Sequence, residues 1–274
     1  MSSIHTLLPD VQQLLREAKG TLLTVELELK PQVPQKKLRM SKLGPTCPRA
    51  LWYSYHHPEL AEPLPPWAEM KFAFGHMMEA LALKLAKEAG HRIEGEQDEI
   101  LLDGVSGHRD AIIDGVTVDL KSCSSRAFSQ FKSGNTDYLD GWGYLSQLDG
   151  YVVGSIDDSL VTSKDKGLLW AIDKTLGHMV LYEHIVRIDE IRNRIANYKA
   201  VVAEPSPPRC SCGTAPEGAS GNIGLDVKGS YNSFKWECFP HLRCFLYANG
   251  PKYLTKVVRL PDVQEVNKHG QLLY

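Results

Sequence analysis

Residues 107–122, GHRDAIIDGVTVDLKS, constrain this chain more than any other stretch, because the turn at their centre fixes how the segment pairs with itself. Asp114-Gly115, set between AII and VTV, is the strongest short-range signal for a two-residue hairpin loop. Counting outward pairs Ile113 with Val116, Ile112 with Thr117, Ala111 with Val118 and Asp110 with Asp119. Directly opposed residues project onto one face with their Cβ atoms roughly 5 Å apart, so the two acids repel. At an effective dielectric of about 20 the repulsion is on the order of 3 kcal/mol. A cation between the carboxylates would remove it. Side chains alternate along a strand, so Lys121 shares the face of Asp119 one step nearer the open end. Two acids and a lysine are therefore expected to converge.

That set suits metal-dependent phosphodiester hydrolysis. Paired carboxylates offer hard oxygen ligands to magnesium or manganese, which polarise a phosphate and acidify a bound water. A lysine beside the attacking water can orient it or neutralise charge developing on the phosphate. Taken singly, either Asp reads as a solvated turn or edge residue. The pairing and the lysine together point to chemistry.

The chain has 274 residues, 43% apolar and 23% charged, enough for one elaborated α/β domain or one domain with a small appendage. Its net charge of -2 carries no global nucleic-acid signature, so contacts to DNA must come from local features. Lys36, Lys37, Arg39, Lys42 and Arg49 are one candidate, although such a run is more often a solvated face or linker and weighs little by itself. The start, MSSIHTLLPDVQQLLREAKG, reads as an amphipathic helix without the features of a signal peptide, and no run of about 18 apolar residues follows. No membrane partner is expected. The expected address is the cytoplasm, or the host cytoplasm for a phage-encoded chain, where the six cysteines read as free thiols or metal ligands rather than disulfides.

The expected organisation is an N-terminal helix and connector over 1–46, an α/β core over 47–204, and a cysteine-containing region over 205–274. TLLTVELEL reads as a strand, and a helix is expected to begin near Cys47. A long helix over 67–89 closes at Gly90, strands fill 93–122, and a helix covers 140–153. A strand over 167–173, strand or strand-to-helix material over 178–186, and a helix over 189–203 follow. From 205 to 229 the composition shifts to Pro, Gly, Ser and Cys, as in a loop or a small metal-stapled subdomain. On the long helix, Phe72, Gly75, Glu79 and Leu83 follow helical spacing, so Glu79 can share a face with buried residues and stand as a third acid. Without the hairpin it would read as a solvated helix Glu. Gln147 and Tyr151 stand at i and i+4, where they can face a DNA strand, position the lysine, or simply pack.

The pattern Gly107-His108-Arg109-Asp110, Asp119-Leu120-Lys121 and Gln147 with Tyr151 resembles the RecB-like branch of the PD-(D/E)XK nucleases over roughly residues 41–250. That branch includes CRISPR adaptation nucleases, the nuclease domains of bacterial recombination helicases, and many phage-encoded exonucleases. The resemblance implies a restriction-endonuclease-like α/β core, with a central mixed sheet flanked by helices and an irregular C-terminal region. It further implies that Asp110, Asp119 and the Leu120 carbonyl bind magnesium or manganese and that Lys121 is the catalytic lysine. Gln147 and Tyr151 become the branch motif on the DNA side, and Glu79, beside His76, becomes the upstream acid. The implied activity is divalent-metal-dependent DNA hydrolysis, as an exonuclease in phage or bacterial recombination, repair or replication. The implied partners are DNA and a recombination or single-strand-binding protein. A DNA-end-binding or assembly factor that kept the fold is the alternative; loss of Asp119 or Lys121 would have favoured it, and both are present.

Cys47 in CPRALWY is similar to the first ligand of the iron-sulfur cluster that several members carry, whose other ligands follow as C-x2-C-x5-C. The matching positions here are Gly229, Asn232 and Cys238, so two of four ligands are missing and a conventional cluster is not expected. Cys210, Cys212 and Cys244, with His241, offer a zinc site or a rearranged cluster instead, and unligated thiols are the other reading. Cys123 reads as a small buried residue.

Overall fold

The computed structural model describes residues 3–17, 22–26, 28, 36–45, 48–61 and 66–208, together with the backbone of three short strands further on. The chain divides into two compact units, Met1–Gln32 with Lys37–Pro45 and Pro65–Ile195, and Val33–Lys36 with Thr46–Leu64 and Ala196–Tyr274. In chain order the elements are α1 (Leu7–Glu17), α2 (Pro48–His56), α3 (Pro66–Glu88), β1 (Ile93–Glu94), β2 (Glu99–Leu102), β3 (Val105–His108), β4 (Ala111–Ile113), β5 (Val116–Cys123), α4 (Ser125–Ser133), α5 (Thr136–Gly141), α6 (Tyr144–Gly154), β6 (Lys166–Asp173), β7 (Met179–Ile185) and α7 (Ile188–Ala203). Strands β8 (Ala215–Glu217), β9 (Asn222–Gly224) and β10 (Val258–Arg259) form a small antiparallel sheet in the second unit. In that unit the Trp52 indole of α2 donates to the Glu204 carbonyl at 2.9 Å, and Arg49 donates to the Pro208 carbonyl at the same distance.

The first unit is a mixed α/β layer structure, as expected. Its five-stranded sheet runs β1-β4-β5-β6-β7, with β5 and β6 parallel and the other pairs antiparallel. The sheet's two faces follow from the period of two in β5. Val116, Val118 and Leu120 point into a core with Leu7, Val11, Ala82, Ala86 and Trp170, which seats α1 and α3. The opposite face meets Phe128, Phe131, Leu139, Leu145 and Leu148 from α4, α5 and α6. Among the described residues, no helix is long and apolar enough to cross a membrane.

The hairpin forms with the expected register at Ala111↔Val118, Ile112↔Thr117 and Ile113↔Val116. Asp114 and Gly115 both take positive φ, 49° and 83°, as a type I′ turn requires. The fourth expected pair does not form. Strand β4 begins at Ala111, and Asp119 is registered against Leu169 of β6. Residues 22–26 and 28 of TLLTVELEL carry no regular structure, against the strand expected there. The long helix closes at Gly90, whose φ of 92° ends it in the left-handed region.

Candidate active site

Strand β5 brings Asp119 and Lys121 to one face, two residues apart, as alternation dictates. Asp119 is 1% exposed, and Lys121 Nζ lies 2.6 Å from its Oδ2, a charge contact outside hydrogen-bond geometry. Asp119 Oδ1 is buried with no hydrogen-bond partner. Asp110 sits just before β4, and its Oδ2 accepts the Leu120 backbone N–H at 2.6 Å. The carboxylate thus reaches across to β5 without being a ladder partner of Asp119. Glu79 joins from α3, where its side chain is 18% exposed. His76 stays outside, with Nδ1 3.9 Å from Glu79 Oε2 and a largely exposed ring.

The electrostatics match this crowding. Burial raises the Asp110 carboxyl well above the ordinary aspartate range, and the charges of Asp119 and Glu79 push it further. Burial likewise raises Asp119 and Glu79. Burial alone would lower Lys121, but the carboxylates of Asp119 and Asp110 outweigh it and hold the ammonium above the usual lysine value. Three acids that resist ionising around one lysine form a site short of positive charge.

Helix α6 supports the lysine from the same face. Lys121 Nζ donates to Gln147 Oε1 at 3.4 Å, and Gln147 Nε2 donates to the Tyr151 hydroxyl at 2.8 Å. Tyr151 is buried, and burial and Asp119 push its phenol up. Gly107 makes room for it, since a Cβ there would stand 2.8 Å from the Tyr151 ring. On α3 the helical stripe read from sequence is buried only in part: Leu83 is buried, but Phe72 is about half exposed.

Two residues near the site show their partners only in the structure. Gln97, with φ at 57°, donates from Nε2 to Glu79 Oε1 at 2.5 Å and from its backbone N–H to the Asp110 carbonyl at 3.3 Å. It joins two of the acids through a loop whose conformation is invisible in a string of polar residues. Arg109, 1% exposed, pairs with Asp98 at 2.8 Å and Asp158 at 2.7 Å and donates to Ser155 Oγ at 3.2 Å. Those bonds anchor the residue beside Asp110. Arg109→Ala is expected to destabilise the protein by about 3 kcal/mol through lost packing and broken hydrogen bonds. At about 2–4 °C per kcal/mol, its melting temperature should fall by roughly 10 °C. An unchanged melting curve would contradict this anchoring role.

In the basic run Lys36, Lys37, Arg39 and Lys42 are exposed; Lys37 pairs with Glu99, and Lys36 lies over the Tyr55 ring at 5.3 Å. Cys123 is buried as expected, and burial with the Asp173 charge pushes its thiol up to about 11. Cys47, Cys210, Cys212, Cys238 and Cys244, like Gly229, Asn232 and His241, lie outside the described residues.

The donor set of Asp110, Asp119 and Glu79 is chemically that of a hard divalent cation, and the orphaned Asp119 Oδ1 is the kind of atom such an ion satisfies. Among the described residues, no three His, Cys, Asp or Glu side chains already stand close enough to hold a metal. Lys121 supplies the neighbouring positive charge instead.

No family model matches this sequence, and no curated protein does. The fold is similar to solved structures at low identity. The alkaline exonuclease LHK-Exo from Laribacter hongkongensis aligns with a TM-score of 0.42 and 13% identity over 62% of this chain and 89% of its own. The same exonuclease in complex with dAMP aligns at 0.41 and 12%, over 61% and 87%. SSO0001 aligns at 0.36 and 18%, over 76% and 91%.

Proposed function

We propose that this chain is a divalent-metal-dependent DNA nuclease, acting as an exonuclease in phage or bacterial DNA recombination, repair or replication. The observation that carries the reading is the buried Asp119–Lys121 pair on β5, flanked by Asp110 and Glu79 and tied through Gln147 to Tyr151. Asp110, Asp119 and Glu79, with the Leu120 carbonyl, would hold magnesium or manganese. When bound, such an ion polarises the phosphate and lowers the pKa of its water. Lys121 then orients the attacking water and neutralises charge on the phosphate. Gln147 accepts from the ammonium and is itself held by Tyr151, so the lysine stays aimed. Raised carboxyl pKa values fit the site as well, because a crowded cluster of acids resists the charge that a cation would stabilise.

Incubating the protein and magnesium with linear, nicked, circular and single-stranded DNA, labelled at one chosen end, tests the reading. Cleavage confined to substrates with ends supports an exonuclease. Binding without cleavage would favour the end-binding factor. Gln147→Ala and Tyr151→Phe should each lower turnover by about tenfold, since each loosens the lysine without touching a metal ligand. Manganese affinity measured by calorimetry should not change. Unchanged kinetics in the double variant would reduce the pair to packing.

A further inference from the structure

We propose, resting on the nuclease reading above, that Trp142 and Tyr144 form a stacking platform for an unpaired base of the DNA strand whose phosphate meets Lys121. Tyr144 stands directly at the candidate centre: Lys121 Nζ lies 5.3 Å from the centre of its ring. Trp142 lies almost parallel to that ring, at 12° and 6.4 Å between centroids, and Tyr138 flanks the indole at 5.9 Å and 48°. The base of this stack is in the core. Buried Phe131 stacks behind Tyr144 at 5.5 Å and 25°, and both Tyr138 and Tyr144 pack on the cluster of Phe128, Phe131, Leu139 and Leu145. Yet Tyr138, Trp142 and Tyr144 each keep part of their surface in solvent.

The rings are held in place before any ligand arrives. Gly143, between Trp142 and Tyr144, has φ of 77° and caps the start of α6. Its backbone lies against that of Gly44, and a Cβ on Gly143 would stand 2.8 Å from Gly44 Cα. Only glycine suits both the conformation and the contact. A fixed platform loses little conformational entropy on binding, which strengthens stacking. Every base has a π-face, but a duplex hides it, so this site selects a single strand or a frayed terminus.

The test crosses removal of the ring with removal of the base. Cleavage of single-stranded oligodeoxythymidylate is compared with cleavage of strands carrying one abasic residue, stepped along from the labelled end. In the wild type an abasic residue at one position should lower kcat/KM by about tenfold, mostly through KM. Trp142→Ala should lose a similar factor on the intact strand and nothing more from the abasic residue, and Trp142→Phe should recover most of the loss. Trp142→Leu, which keeps apolar bulk without a ring, repeats the comparison if Trp142→Ala does not fold. Indifference of the wild type to the abasic residue at every position would overturn the platform, as would penalties that multiply. Failure of the wild type to cleave any DNA would overturn the nuclease reading itself, and the platform with it.

Discussion

Asp119→Ala and Lys121→Ala are both expected to abolish DNA cleavage, for different reasons that one titration separates. Asp119→Ala removes the proposed ligand, whose oxygen is buried and unsatisfied, so manganese affinity should fall by more than about a hundredfold. Lys121→Ala takes away the group at the phosphate and should cost about 10²–10³ in turnover. Its manganese affinity should hold or rise, because an ammonium 2.6 Å from Asp119 Oδ2 competes with the metal. Calorimetry beside a nuclease assay reads both effects. Full activity in either variant would contradict the assignment.

Asp110→Asn is expected to raise the melting temperature of the metal-free protein while eliminating cleavage. The Asn side chain can still accept the Leu120 N–H but no longer repels Asp119 and Glu79. Relief on the order of 2 kcal/mol corresponds to a rise of about 4–8 °C. Because the folded-state pKa of Asp110 is raised, its contribution to stability is full below its unfolded value, near about 4, and is lost as pH rises through the folded value. The gap between variant and wild type should therefore widen from about pH 4 toward neutrality. Magnesium should then narrow the gap by stabilising the wild type alone. A variant that melts well below the metal-free wild type at neutral pH would make Asp110 a structural acceptor instead.

The legible parts of the fold are those set by local rules. Asp114-Gly115 fixed its turn because few other dipeptides take two positive φ values, and Gly90 marked the end of α3 for a similar reason. Asp119 and Lys121 were placed on one face by the period of a strand, and Gln147 and Tyr151 by that of a helix. The expected pairing of Asp110 with Asp119 does not form because the ladder to β4 ends at Ala111↔Val118 and the Asp110 carboxylate itself takes the Leu120 N–H, a side-chain choice that strand alternation does not record. TLLTVELEL has strand propensity, but propensity needs a neighbouring strand to satisfy it. Helices α4 and α5 stand where no helix is expected, although the sequence carries their capping residues. Ser124 accepts from Ala127 N, Asn135 accepts from Tyr138 N, and Gly134 closes α4 at φ 65°. Gln97 and Arg109 act through contacts to Glu79 and Asp158, far away in sequence, so tertiary structure alone discloses those contacts.

The most direct measurement is release of nucleotides from end-labelled linear DNA by the purified chain, in magnesium and in chelator, beside the Asp119→Ala protein. The account predicts release in magnesium, none in chelator, and none from the variant in either. Release that persists in chelator or in the variant, or no release from the wild type under any condition, would contradict it.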